Sequence, residues 1–146
     1  MKKSKRWIAA LLLAGYVILI WYNTVFSRAV HKSYRYDFHP FWSYKAIING
    51  KEELIREHIL NVAMFIPIGV LLWFCFERKR WWIPILFGCA ISMSIEIMQL
   101  IGKRGFAEYD DVMHNTLGCV IGYLVFAAIG KCRSMIVINR GLFIWK

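Results

Sequence analysis

Four long apolar runs dominate the chain, and polar residues fall mostly between them. The runs cover residues 7–26, 59–76, 81–101 and about 112–130. Each comes to roughly the 18–20 residues that a helix needs to cross the hydrocarbon core of a bilayer. A globule built from so short a chain could not hide them all around one core. The pattern predicts an all-α, polytopic membrane protein, a four-transmembrane-helix bundle. Pro67 and Pro84 lie within or near the start of runs, where membrane helices tolerate them. The first run follows Met-Lys-Lys-Ser-Lys-Arg, as a secretory signal would. It is long for a signal core and lacks a small-x-small exit, so an uncleaved signal-anchor helix is expected. Trp7, Trp21, Tyr22, Trp73, Trp81, Trp82 and Tyr109 crowd the run ends and read as interface anchors.

Composition agrees, with 59% of the 146 residues hydrophobic and 16% aromatic. The net charge of +10 would suit nucleic acid if it formed one face. Instead it sits in short clusters beside the runs: Lys2, Lys3, Lys5 and Arg6; Arg78, Lys79 and Arg80; Lys131, Arg133, Arg140 and Lys146. Nucleic acid is therefore not an expected partner. Placing the N-terminus, the 77–80 turn and the C-terminal tail in the cytoplasm gives those segments eleven basic residues against one acid, Glu77. The opposite side then holds eight basic residues but seven acids. The positive-inside rule favours this orientation, with both termini cytoplasmic. Residues 1–30 then form the anchor helix, 31–130 a core with three further membrane helices, and 131–146 a cytoplasmic or interfacial tail. In the outer loop, Pro40 between aromatics predicts a turn in the headgroup layer, and residues 52–58 a helix start. Cys75, Cys89, Cys119 and Cys132 form no CxxC pair and read as small apolar fillers.

Lipid makes polar groups costly, so polar residues inside the runs carry most information. Glu96 lies about 7 Å inside the outer end of the third run at 1.5 Å per residue. Gln99, Ser92 and Gly88 share its helix face. The fourth helix starts with Asp110, Asp111, His114 and Asn115, and Gly118 and Gly122 extend the Asp111 face. Gly88, Ser92, Gly118 and Gly122 suit close helix packing. The second helix contributes His58 and Asn61 near its start. The topology brings Asn61, Glu96, Gln99, Asp111 and Asn115 to similar depth, with Arg104 in the short loop above them. One reading is a polar clamp, in which Asn61 and Gln99 satisfy helix ends and Glu96 pairs with Arg104. The other is a site, because carboxylates and amides from three helices exceed what clamping needs. Asp110, Asp111, His114 and His58 could serve a metal only without the usual paired-His spacing, so no metal or cofactor is expected. No Ser-His-Asp order and no phosphate-cradling glycine loop is present.

These residues form an ordered set. Asn61-x-x-x-Phe65-x-Pro67-x-Gly69, Ser92-x-x-x-Glu96-x-x-Gln99, Arg104, and Asp111-x-x-x-Asn115-x-x-Gly118-x-x-x-Gly122 resemble the VanZ-like family. Pro40-Phe41 is similar to the family's upstream Pro-Phe element, and the likeness covers roughly residues 38–125. The resemblance implies a bacterial membrane protein of a group named for teicoplanin resistance. It also implies functional positions at Asn61, Glu96, Gln99, Arg104, Asp111 and Asn115. It supplies no reaction, and two functions are weighed. One is a non-catalytic envelope protein that alters how lipoglycopeptides meet lipid-anchored cell-wall precursors at the outer face. The other is an intramembrane enzyme on a lipid headgroup or polyprenyl-linked precursor, with Glu96 or Asp111 as general base and Arg104 holding a phosphate. The expected partners are membrane lipid and a lipid-linked precursor or lipoglycopeptide.

Overall fold

A computed structural model describes the backbone at residues 3–76 and 80–143, and side chains no further than residue 131. The elements run α1 (Lys3–Trp21), a π-helical turn (Tyr22–Phe26), β1 (Tyr36–Asp37), α2 (Trp42–Ile48), α3 (Glu53–Cys75), α4 (Ile83–Gly102), β2 (Ala107–Glu108) and α5 (Tyr109–Phe143). Among the described residues, four helices are long and apolar enough to cross a membrane. They are α1 with its π turn, α3, α4 and the first 23 residues of α5.

Outward positions are apolar: Leu11, Ile18, Leu86, Ile97, Leu117 and Leu124 are all exposed. Several polar groups, Ser92, Glu96, Gln99, His114 and Asn115 among them, are buried. This inversion of a soluble fold is what hydrocarbon demands, since a polar group left against lipid lacks any partner.

Helix α5 packs against both α3 and α4, and α1 closes against α3. Glycines set the closest approaches. A methyl group added at Gly118 would lie 2.1 Å from the carbonyl oxygen of Val62, and one at Gly122 would lie 2.1 Å from that of Ile66. On the reverse side, Gly69 faces the carbonyl of Cys119 as closely. The small residues expected to pack do so, backbone against backbone. Phe65, Ile68, Leu72, Cys119 and Tyr123 fill the core beside this seam. Tyr16 Oη donates to the Met64 carbonyl, tying α1 to α3.

Pro67 sits inside α3, and Pro84 lies in the first turn of α4, where the missing N–H costs nothing. Lys103 ends α4 in a left-handed conformation at φ 52°. Three expectations change. The fourth helix does not stop near Gly130 but continues to Phe143, since neither Lys131 nor Arg133 breaks a helix. Trp21 turns inward, donating to Ser94 Oγ at 3.2 Å, and Trp73 packs on Phe126. The loop between α1 and α3 also holds more than a turn. It contains α2, and β1 runs parallel to β2, pairing Tyr36 with Ala107 and Asp37 with Glu108. The expected cluster at Arg78 and Lys79 falls outside the described residues, as do the side chains of residues 135–145 on which the interfacial reading rests.

Candidate functional site

The stripe on α5 divides its contacts between two neighbours. Asp111 Oδ1 accepts a 2.7 Å hydrogen bond from Asn61 Nδ2 on α3. One turn on, Asn115 Nδ2 donates to Ser92 Oγ on α4 at 2.8 Å. Glu96 Oε2, on α4, accepts the Glu108 backbone N–H at 2.9 Å. Glu96 and Glu108 are both buried. Asp111 is close enough to interact electrostatically with each of them. Sequence spacing put Asn61, Glu96, Asp111 and Asn115 at one depth; here Asn61 bonds Asp111, which lies within electrostatic reach of Glu96, while Asn115 bonds Ser92. Glu108 joins them because the β1–β2 pairing fixes the strand that carries it.

Gln99 and Arg104 do different work. The π turn leaves carbonyls without helical partners at the end of α1. Gln99 Nε2 donates to the Thr24 carbonyl at 3.0 Å. Arg104 Nη1 donates to the carbonyls of Phe26 at 2.6 Å and Arg28 at 3.0 Å. These two residues thus fasten α1 to α4, and neither bond of Arg104 goes to Glu96. The cation that acts electrostatically on both Glu96 and Asp111 is Arg28. Gly105 makes room for it. At φ +92° it adopts a backbone that favours glycine, and an added methyl would lie 2.8 Å from Arg28 Nη1.

Asp110 is wholly buried, yet it faces backbone rather than solvent. Its carboxylate accepts from Phe41 N at 2.7 Å, Ser43 N at 3.0 Å and the Ser43 hydroxyl. Those bonds hold the start of α2, where Phe41 takes a left-handed φ of 63° that is rare for a bulky residue. Beside it, Tyr44 Oη lies 2.7 Å from His114 Nε2, and the His58 and His114 rings stack at 4.0 Å. Sequence reasoning had no signal for Arg28 or for the partners of Asp110, because both depend on contacts some 70 residues apart. Among the described residues, no three His, Cys, Asp or Glu side chains are grouped to hold an ion.

Between α4 and the start of α5 lies a pocket of about 330 Å³. Phe38, Met93, Ile97, Leu100 and Val112 wall it, and Glu96 and Glu108 are its acidic residues. Met93 and Ile97 are exposed on the lipid-facing surface, so the pocket adjoins that surface. Asn61, Gln99, Arg104, Asp111 and Asn115 do not line it. Burial pushes the Glu108 carboxyl up to about 8, and repulsion from Asp111, Glu57 and Asp110 adds to this. Gln99 Oε1 and Asn115 Oδ1 are buried acceptors without a partner among the described residues.

Four membrane-length helices around buried carboxyls and amides define a multi-pass integral membrane protein. The chain belongs to the VanZ/LLP1 family, whose model matches residues 7–130. It is similar to Protein VanZ of Enterococcus faecium, with 34% identity over 85 residues. That match covers 58% of this chain and 53% of the relative, so the chain spans about half the length of the curated relative it matches. No solved structure matches it.

Proposed function

We propose that this VanZ-like protein receives, at the outer face of the cell membrane, a polar group carried on a lipid-anchored molecule. The ligand class is a lipid-linked cell-wall precursor or an acylated glycopeptide, and the consequence is reduced susceptibility to teicoplanin-type lipoglycopeptides. The observation that carries this reading is the 330 Å³ pocket beside the lipid-facing surface, with apolar walls and two buried carboxyls. A molecule with a hydrocarbon tail and a polar head can enter such a pocket sideways without leaving the bilayer. Charge supports the orientation, because Lys3, Lys5 and Arg6 at the start of α1 and Arg80 just before α4 lie at the opposite end of the bundle.

In this reading Glu96 and Glu108 meet the polar head, while Asp111, held by Asn61, sets the charge behind them. Neutral isosteres test it. Glu96→Gln and Asp111→Asn keep volume and most hydrogen bonding, so folding should survive while the ionisable group is lost. Cells expressing either variant should lose lipoglycopeptide resistance, with the detergent melting temperature near that of the parent protein. Full resistance in both variants would reduce the cluster to a helix clamp.

Glu108 favours a second reading, acid–base catalysis on a lipid-linked headgroup. A carboxyl titrating near 8 can carry a proton at neutral pH. Mass spectrometry of lipid-linked precursors incubated with purified protein separates the two: binding leaves their masses unchanged, and catalysis does not.

A further inference from the structure

The pocket of about 330 Å³ between α4 and the start of α5 carries charge of one sign only. Its nine lining residues include Glu96 and Glu108 and no Lys, Arg or His. Both acids are more than nine-tenths buried, at 6% and 8% exposure. Glu96 Oε2 accepts the Glu108 N–H, while Oε1 receives no hydrogen bond from the described residues. Three cations of the adjoining segments have other partners. Arg104 donates to the carbonyls of Phe26 and Arg28, Lys103 Nζ sits 4.6 Å from the centre of the Tyr34 ring, and Arg35 lies over Phe106. Arg28 acts on Glu96 electrostatically but does not line the pocket. Asp111, Glu57 and Asp110 add negative charge around Glu108.

An anionic head entering this pocket would meet two carboxyls and no lining cation to offset the repulsion, which a low dielectric strengthens. A protonated amine meets the opposite field. Its N–H groups match the open Oε1 acceptor, and its charge neutralises carboxylates that are costly to bury alone. Phe38 and Tyr109 supply aromatic walls, and ring quadrupoles attract ammonium. Stacking on Tyr36, at 5.2 Å between ring centres, steadies Phe38. Met93, Ile97, Leu100 and Val112 form the apolar remainder, which suits a hydrocarbon chain. On the reading that this pocket receives a headgroup, we infer that the head it takes is a primary ammonium on a lipid-anchored molecule. The amine sits between Glu96 and Glu108, against Phe38 and Tyr109.

The test uses the full chain in neutral detergent with three amphiphiles of one chain length: dodecylamine, dodecyl phosphate and dodecanol. Binding is read by thermal shift and native mass spectrometry. Dodecylamine should bind on the order of tenfold more tightly than dodecanol, and dodecyl phosphate more weakly than either. Glu96→Gln and Glu108→Gln should each weaken dodecylamine binding about tenfold. Glu53→Gln is the control for diffuse charge, since Glu53 is an exposed acid at the same end of the bundle that does not line the pocket. It should leave the affinity unchanged. The parent protein gives a measurement that needs no variant to fold. Burial and repulsion from Asp111, Glu57 and Asp110 outweigh the bond from Trp42 and hold Glu108 near 8, while an alkylamine keeps its proton to about pH 10. Dodecylamine binding should therefore strengthen as pH rises from about 6 to about 9, reporting Glu108 together with Glu96, to which it is coupled. Competition by phosphatidylethanolamine or by an Nα-palmitoyl-lysyl peptide assigns the amine to a phospholipid or to a peptide. Tighter binding of dodecyl phosphate than of dodecylamine, a flat pH profile, or equal weakening by Glu53→Gln would overturn the ammonium assignment and leave a headgroup pocket. Failure of all three amphiphiles to bind would overturn the pocket reading itself.

Discussion

The middle of the bundle and its carboxylate end hold α5 to its neighbours by opposite means. In the middle, Gly118 and Gly122 let α5 touch α3 backbone to backbone, around the wholly apolar side chains of Phe65, Ile68 and Leu72. At the carboxylate end, Glu96, Glu108 and Asp110 are buried, each at a solvation cost. Dispersion and close fit suffice for the first region, because lipid offers no hydrophobic drive between helices. The second region gains less from burial than it loses in hydration, unless its groups are fully bonded. Asp110 is bonded on both oxygens, whereas Glu96 has one hydrogen bond from protein on one oxygen. Shape therefore holds the fold, Asp110 holds a loop, and Glu96 is the carboxylate with the fewer protein hydrogen bonds of the two.

The comparison breaks most readily at the glycines. Gly118→Leu would drive a side chain into the Val62 carbonyl, an atom that moves only if α3 moves. The loss should reach about 3 kcal/mol, the upper part of the overpacking range, and should appear as a lower melting temperature and folding yield in detergent. An unchanged melting curve would place that face against lipid.

A smaller and more local effect is expected at Asp110. Asp110→Ala strands the Phe41 and Ser43 N–H groups and the Ser43 hydroxyl, at a cost of roughly 2–3 kcal/mol. Hydrogen exchange should speed up across α2 while the α3–α5 seam keeps its protection. Uniform loss of protection would mean that the two regions are one cooperative unit.

A third effect concerns pH. Glu108 ionises near 4.5 in the unfolded chain and near 8 in the folded one. Its raised value favours folding fully below 4.5, and that contribution is lost as pH rises toward 8. Glu108→Gln cannot ionise, so its melting temperature should fall less than that of the parent across this window. Glu57, Glu96, Asp110 and Asp111 remain in both proteins, so the difference between the two curves reports Glu108 together with its coupling to them. Parallel curves would place the Glu108 carboxyl in water.

The spans were legible because length and apolar continuity are local properties, and the packing role of Gly118 and Gly122 followed from small residues on one helix face, though not their partners Val62 and Ile66. The common depth of Asn61 and Asp111 was legible for a related reason, since charge-derived topology puts both near the same end; their hydrogen bond was not. The role of Arg104 was not. A cation in the loop above two carboxylates looks like their partner, but carbonyls freed by the π turn attract it first. Nor could residues 28–41 be placed, since their conformation is fixed by pairing with residues 103–108 and by Asp110. Such contacts leave no periodicity in either segment.

The reach of Asp110 back to Phe41 spans 69 positions and has a consequence in time. Synthesis proceeds at roughly 5–20 residues per second, so residue 41 leaves the ribosome several seconds before its anchor exists. During that interval α2 has no acceptor to fix its first turn, and the strained backbone at Phe41 has nothing to hold it. The pocket is thus finished last, when α5 is made, and a chain that stalls before residue 110 is a membrane anchor without a site.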